Sequence, residues 1–193
     1  MNAPERTVPN RVLDWSEANQ RLLVAEFARL RTLLSDGDLE TVTVELEACR
    51  FEMPSPAAID TLARLFQLSP FERDLLLLAA GVEMDARISA LCGQCAGQPQ
   101  RPWATFGLAL AALPNPHWSA VAPLEPLRRW RLVEVDEAAP LTTARLKIDE
   151  RILHFIGGLN YLDHRLQAFL EPVPSPGPMS TALRSWSPRT RQA

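Results

Sequence analysis

Between Leu75 and Ala80 the chain reads Leu-Leu-Leu-Leu-Ala-Ala, with no polar side chain on any face. Just before it stands Ser69-Pro70-Phe71-Glu72. That tetrad has the form of a helix start: Ser at the N-cap, Pro at the first helical position and Glu three residues after the cap. A helix that begins this way and then turns apolar all round has no side fit for water, so it belongs at the centre of a core. A chain of 193 residues, 47% of them hydrophobic, can supply that core as one ordinary domain or two small ones. The same composition excludes a disordered chain.

The elements around this helix follow from periodicity. Leu22, Leu23, Phe27, Leu30, Leu33 and Leu34 recur at three- and four-residue steps. They predict an amphipathic helix over about 16–34, opened by Asp14 or Ser16 and ended by Gly37. The run from Thr41 to Leu46 alternates Thr and Val and fits a short strand, while Glu45 to Arg50 is equally compatible with a helix. Ile59, Leu62, Ala63, Leu65 and Phe66 line one face of a further helix, and another is expected from Asp85 to Cys95.

Beyond a joint at 99–102 the order changes. Thr105 to Leu113 reads as a helix stopped by Pro114, a short segment starts at His117-Trp118-Ser119, and Pro126 to Trp130 reads as a helix. Arg131 to Val135 and Leu146 to Ile148 read as strands on either side of a turn beginning at Asp136. Asp149 caps a last helix ended by Gly157-Gly158, and 159–170 is expected to add a turn or two. Three helices, a strand, a turn, a strand and a helix is close to the order of a winged-helix module. The predicted fold is therefore mainly α. It has an N-terminal helical region over 11–98, a winged-helix module with a small antiparallel β-hairpin over 99–170, and a disordered Pro/Ser/Arg-rich tail over 171–193.

Composition removes several functions. Of the 20 basic residues only Lys147 is a lysine, and it lies between Leu146 and Ile148. A phosphate-cradling loop needs Gly-Lys-Ser/Thr, so no Walker A motif is present and no catalysis is expected. Three cysteines do not make a disulfide scaffold. The start MNAPERTVPN has no apolar core, so no secretory signal is visible and a cytoplasmic location is expected. Residues 102–124 carry no charge, but Pro102, Pro114, Pro116 and Pro123 break any helix that would cross a membrane.

Three blocks carry a resemblance: FQLSPFERDLLLLAAGVEMD (Phe66–Asp85), TFGLALAALPNPHWSAVAPLEPLRRWRLVEV (Thr105–Val135) and LKIDERILHFIGGLNYLDHRL (Leu146–Leu166). Together they resemble the N-terminal winged-helix region of bacterial AAA-family ATPases, several of which are encoded with phage-tail-like contractile injection systems. The resemblance spans roughly residues 55–170. It implies an adaptor domain that recruits a protein, such as an AAA ATPase assembly or an injection-system component. The ATPase module that normally follows in that family is expected to be absent from this chain.

The site expected to meet a partner is Arg128, Arg129, Trp130 and Arg131, where arginines flank an aromatic ring. In a DNA-binding winged helix the third helix enters the major groove, which makes the same residues the best nucleic-acid candidates and a DNA-binding regulator the alternative reading. Against it, residues 99–170 carry a net charge of only +1, and Asp136-Glu137 makes the wing acidic where it would approach phosphates. The Trp103, Trp118 and Trp130 rings are expected mostly in the core, with one exposed ring beside arginine fitting a protein interface. Cys92 and Cys95 form a CxxC without a second pair, so they are read as small packing residues at a helix end, with metal or redox chemistry as the competing reading. His154 and His164 are read as surface or capping residues, Asp149-Glu150 as helix-opening acids, and Arg73 as free to pair with a neighbouring acid. No cofactor or metal is expected.

Overall fold

The computed structural model describes residues 14–161, and the architecture grows out from the apolar helix. That helix, α4 (Pro70–Met84), opens with the full capping box: the Ser69 hydroxyl accepts from the Glu72 N–H, and the Glu72 carboxylate accepts from the Ser69 N–H. Leu75, Leu76, Leu77, Leu78, Ala79 and Ala80 are all buried, as an all-round apolar surface requires.

Before α4 come α1 (Trp15–Leu34), α2 (Glu40–Phe51) and α3 (Ala58–Phe66); after it comes α5 (Ala86–Cys95), capped by Asp85. Asp14 is the N-cap of α1, accepting from the Glu17 N–H. The Thr-Val alternation at 41–46 is helical, because the inward positions Val42, Leu46 and Cys49 recur at four- and three-residue steps and face α1. On α3 the buried positions are Ala58, Ile59 and Leu62, whereas Leu65 is exposed, which corrects its expected place on the core face. Gly81 lies inside α4, and a Cβ there would come within 2.6 Å of Ile88 Cδ1 on α5.

The remainder follows the winged-helix order. Helix α6 (Phe106–Ala112) is capped by Thr105, a 3-10 turn spans Trp118–Val121, and α7 (Pro126–Arg129) is a single turn. Strands β1 (Val133–Val135) and β2 (Leu146–Ile148) pair antiparallel, with Val133 opposite Ile148 and Val135 opposite Leu146. Helix α8 (Glu150–Ile156) starts at the cap Asp149. The fold is mainly α with one small antiparallel hairpin among the described residues.

One hydrophobic cluster joins Leu22, Leu30 and Leu75 to Phe106, Leu127, Leu146 and Ile156. Buried Asn19 ties it together: its side-chain carbonyl accepts from the Ala58 N–H (2.9 Å) and its amide donates to the Ile156 carbonyl (3.0 Å). That links the starts of α1 and α3 to the end of α8 and leaves neither polar group of the Asn19 side chain without a partner. No helix among the described residues is long and apolar enough to cross a membrane. The expected tail at 171–193, His164 and the turns expected beyond Tyr161 lie outside the described residues.

Candidate functional site

The four residues from Arg128 to Arg131 are held from beneath. Leu127, at the inward position of α7, is fully buried and anchors the turn in the core. Trp130 rests against Phe66 at the end of α3 with ring centroids 5.8 Å apart, yet leaves 54% of its surface exposed. Arg129 lies over the same indole, 5.3 Å from its centroid, an arrangement worth a few tenths of a kcal/mol to about 1 kcal/mol at an exposed site. Arg128 behaves differently, because its guanidinium donates to the Val121 carbonyl at 3.0 Å and braces the 3-10 turn. The structure thus brings Arg129, Trp130 and Arg131 together as an exposed group and gives Arg128 a supporting role.

Arg131 sits in the left-handed region at φ 51°. Its N–H donates to the Arg128 carbonyl and the Leu132 N–H to the Leu127 carbonyl, at 3.1 and 2.9 Å. That is the helix-ending pattern in which glycine is usual at the left-handed position. An arginine there carries a conformational penalty of about 1 kcal/mol, which the surrounding hydrogen bonds hold in place.

Facing these cations is the hairpin. Exposed Glu134, Asp136 and Glu137 share a groove of about 620 Å³ with Arg128 and Arg131. Both signs of charge therefore stand within one concavity. Two further apolar side chains extend the surface: Trp118 is 64% and Leu124 81% exposed. Trp103 is only partly exposed, so the expectation that most of these tryptophans fill the core holds for neither Trp118 nor Trp130.

The other predicted sites resolve into structure. Cys92 is buried and its thiol is pushed up to about 12, first by burial and then by the nearby Cys95; Cys95 donates to the Leu34 carbonyl at 2.9 Å and is also raised, mainly by burial. Reactive or metal-binding thiols need the opposite shift. No group of three or more candidate metal ligands occurs among the described residues. His154 lies 3.7 Å from Glu150 and edge-on to Tyr161, and His117 is bonded to Ser69 and Ser119 at 2.8 Å each. Asp149 accepts from the Arg151 and Ile152 N–H groups, a capping role.

Arg73 does find its acids, in a cluster that sequence reasoning missed. Glu26 is fully buried and accepts from Arg73 (2.6 Å), Arg50 (2.7 Å) and Arg29 (3.1 Å). Arg29 also grips Asp74 with both terminal nitrogens, and Arg73 reaches Asp60. Burial alone would raise the Glu26 carboxyl; Arg73, with Arg29 and Arg50, outweighs it and holds it at about 2. The available signal was position: Glu26 falls four residues after Leu22 and four before Leu30, on the apolar stripe of α1.

The arrangement of helices, one-turn α7, two-stranded wing and capping helix defines a winged-helix protein. Residues 16–170 match the family described as "Winged helix domain, variant", and the chain belongs to that family. No curated protein matches the chain, and no solved structure matches it. A winged-helix domain is in general a binding fold rather than a catalytic one.

Proposed function

We propose that this chain is a protein-docking module, an adaptor that recruits a partner polypeptide through Arg129, Trp130 and Arg131 and the adjoining hairpin. The observation that carries the reading is the mixed sign of the groove, where Arg128 and Arg131 face Glu134, Asp136 and Glu137. A polyanion gains its affinity from many phosphates neutralised in a row, and three carboxylates on the wing oppose that gain. A protein surface carries both signs and matches such a groove, and exposed tryptophan and arginine are the residues most enriched at protein hot spots.

The resemblance to the front region of bacterial AAA-family ATPases supplies the class of partner: an ATPase assembly, or a component of a contractile injection particle that such an assembly serves. The location that goes with this role is cytoplasmic.

The test is a photo-crosslinking amino acid placed at Trp118, next to the face without removing it, in cells that make the protein naturally. Discrete protein adducts that disappear when Arg129 and Arg131 are changed to Glu are expected. Adducts to nucleic acid at this position would overturn the reading in favour of a DNA-binding regulator.

A further inference from the structure

The hairpin has one free edge, and the hydrogen-bond pattern says which residues it offers. The Asp149 N–H donates to the Leu132 carbonyl, and the Asp136 N–H to the Arg145 carbonyl, each at 3.1 Å. Glu134 lies opposite Lys147 between them. In an antiparallel ladder, bonded and non-bonded pairs alternate, so Leu132, Glu134 and Asp136 direct their backbone groups to β2. Val133 and Val135 direct theirs away from it. The outer side of β2 is already engaged, with the Leu146 N–H donating to the Ala104 carbonyl at 2.9 Å. Nothing among the described residues bonds to the N–H or carbonyl of Val133 or Val135.

Val133, Val135 and Leu141 line the groove together with Arg131 and Glu137. Val133 is 2% exposed, so its unpaired backbone groups are shielded from water, where an unsatisfied amide is unfavourable, and Val135 is partly exposed beside the groove. A free strand edge set in a groove takes an added strand.

A second copy fits poorly. Only the outward-bonding positions can pair with one another. A two-fold register centred on Glu134 sets that carboxylate against itself, and one centred on Val135 sets Glu134 against Asp136. A register centred on Val133 runs into Arg131, whose left-handed backbone is not a strand. Like charges directly opposite one another destabilise a strand pair.

We propose that the outer edge of β1 binds an extended segment of a partner protein as a third, antiparallel strand. Its chemistry is set by the residues it crosses: basic side chains opposite Asp136 and Glu134, small apolar ones opposite Val135 and Val133, and an acidic one further along, near Arg131. The segment thus alternates basic and apolar residues and ends on an acid. The inference rests on the protein-docking reading above and states the form the docked segment takes.

The test uses an acetylated, amidated peptide of sequence Lys-Val-Lys-Val-Gly-Asp, titrated into the isotopically labelled full chain with amide exchange read by NMR. Slowed exchange at the Val133 and Val135 amides is expected, with Glu134, already in the ladder, little changed. The double variant Glu134→Lys with Asp136→Lys alters two exposed side chains. It is expected to weaken this peptide by about tenfold and to bind the charge-reversed peptide Glu-Val-Glu-Val-Gly-Lys instead. Val135→Pro removes one outward N–H without touching a ladder bond, and it is expected to abolish binding of both peptides; if it disturbs the hairpin, the double variant stands alone as the test. Binding without slowed exchange at the two valines, or equal binding of the two peptides by the double variant, overturns the proposal. So does protection that appears in the free chain as its concentration rises, which marks a second copy on this edge. Protein crosslinks at Trp118 combined with failure of this experiment would sink strand addition alone, whereas loss of those crosslinks would sink the docking reading itself.

Discussion

Arginines gather in two places in this molecule and do opposite things. Around α1 and α4, Arg29, Arg50 and Arg73 converge on Glu26, Asp60 and Asp74, with the central carboxylate fully buried. Beside the hairpin, Arg129 and Arg131 stay exposed, one stacked on an indole and the other in a strained backbone, with acids nearby but no ion pair between them among the described residues. In the first cluster the charges are spent internally and fix how the helices meet. In the second they remain available to something outside. Charge in a sequence therefore says little until burial and partners are known, and Arg29, Arg50 and Arg73 are the structural arginines of the two groups.

The sharpest way to break this contrast is Glu26→Gln. It leaves three arginines converging on a neutral amide, and losing one partner from a buried charge cluster is expected to remove about 3–5 kcal/mol in urea unfolding. A loss below about 1 kcal/mol would put this cluster in the same class as a surface ion pair.

Acid sharpens the same point. The Glu26 carboxyl is held at about 2, below its ordinary 4.5. Its contribution is complete above the ordinary value and is lost as pH falls from there through 2. About 3 kcal/mol of stability should drain away across that window, and Glu26→Gln should flatten that part of the curve. An unchanged slope in the variant would show that other carboxylates set the acid limit.

Smaller effects test the exposed cluster. Arg131→Gly relieves the left-handed backbone and is expected to raise stability by about 0.5–1 kcal/mol while reducing partner capture. A protein that gains stability and keeps its partner would mean the arginine has no role in docking. Arg129→Ala removes only an exposed cation over a ring, and thermal unfolding should move by no more than the equivalent of about 1 kcal/mol.

Much of this fold could be read from the chain because local signals agreed with tertiary ones. The capping box at Ser69 and the apolar run behind it placed α4, and the caps at Asp149 and Thr105 placed α8 and α6. Where signals conflicted, the chain misled. Alternating Thr and Val at 41–44 suggested a strand, but the weaker three- and four-residue spacing of Val42, Leu46 and Cys49 decided the outcome, because α1 offers a helix-shaped groove and no strand edge. Leu65 falls on the apolar stripe of α3 yet faces water, since three buried residues already fill that contact. At the site, the cluster around Trp130 was visible as a composition, and its division of labour was not. That Arg128 braces a carbonyl while Arg129 stacks on the ring depends on where the 3-10 turn runs, which no local spacing encodes. The free edge of β1 was hidden for the same reason, because hydrogen-bond parity depends on register with a strand ten residues away.

In the docking role proposed above, the face built by α7 and the hairpin meets polypeptide and not polyanion. The most direct measurement is fluorescence anisotropy of a labelled mixed-sequence DNA duplex against the full chain, from low salt upward. No saturable binding is expected even at the lowest salt. Binding that weakens steeply and log-linearly as salt rises, and that Arg129→Glu with Arg131→Glu abolishes, would contradict it.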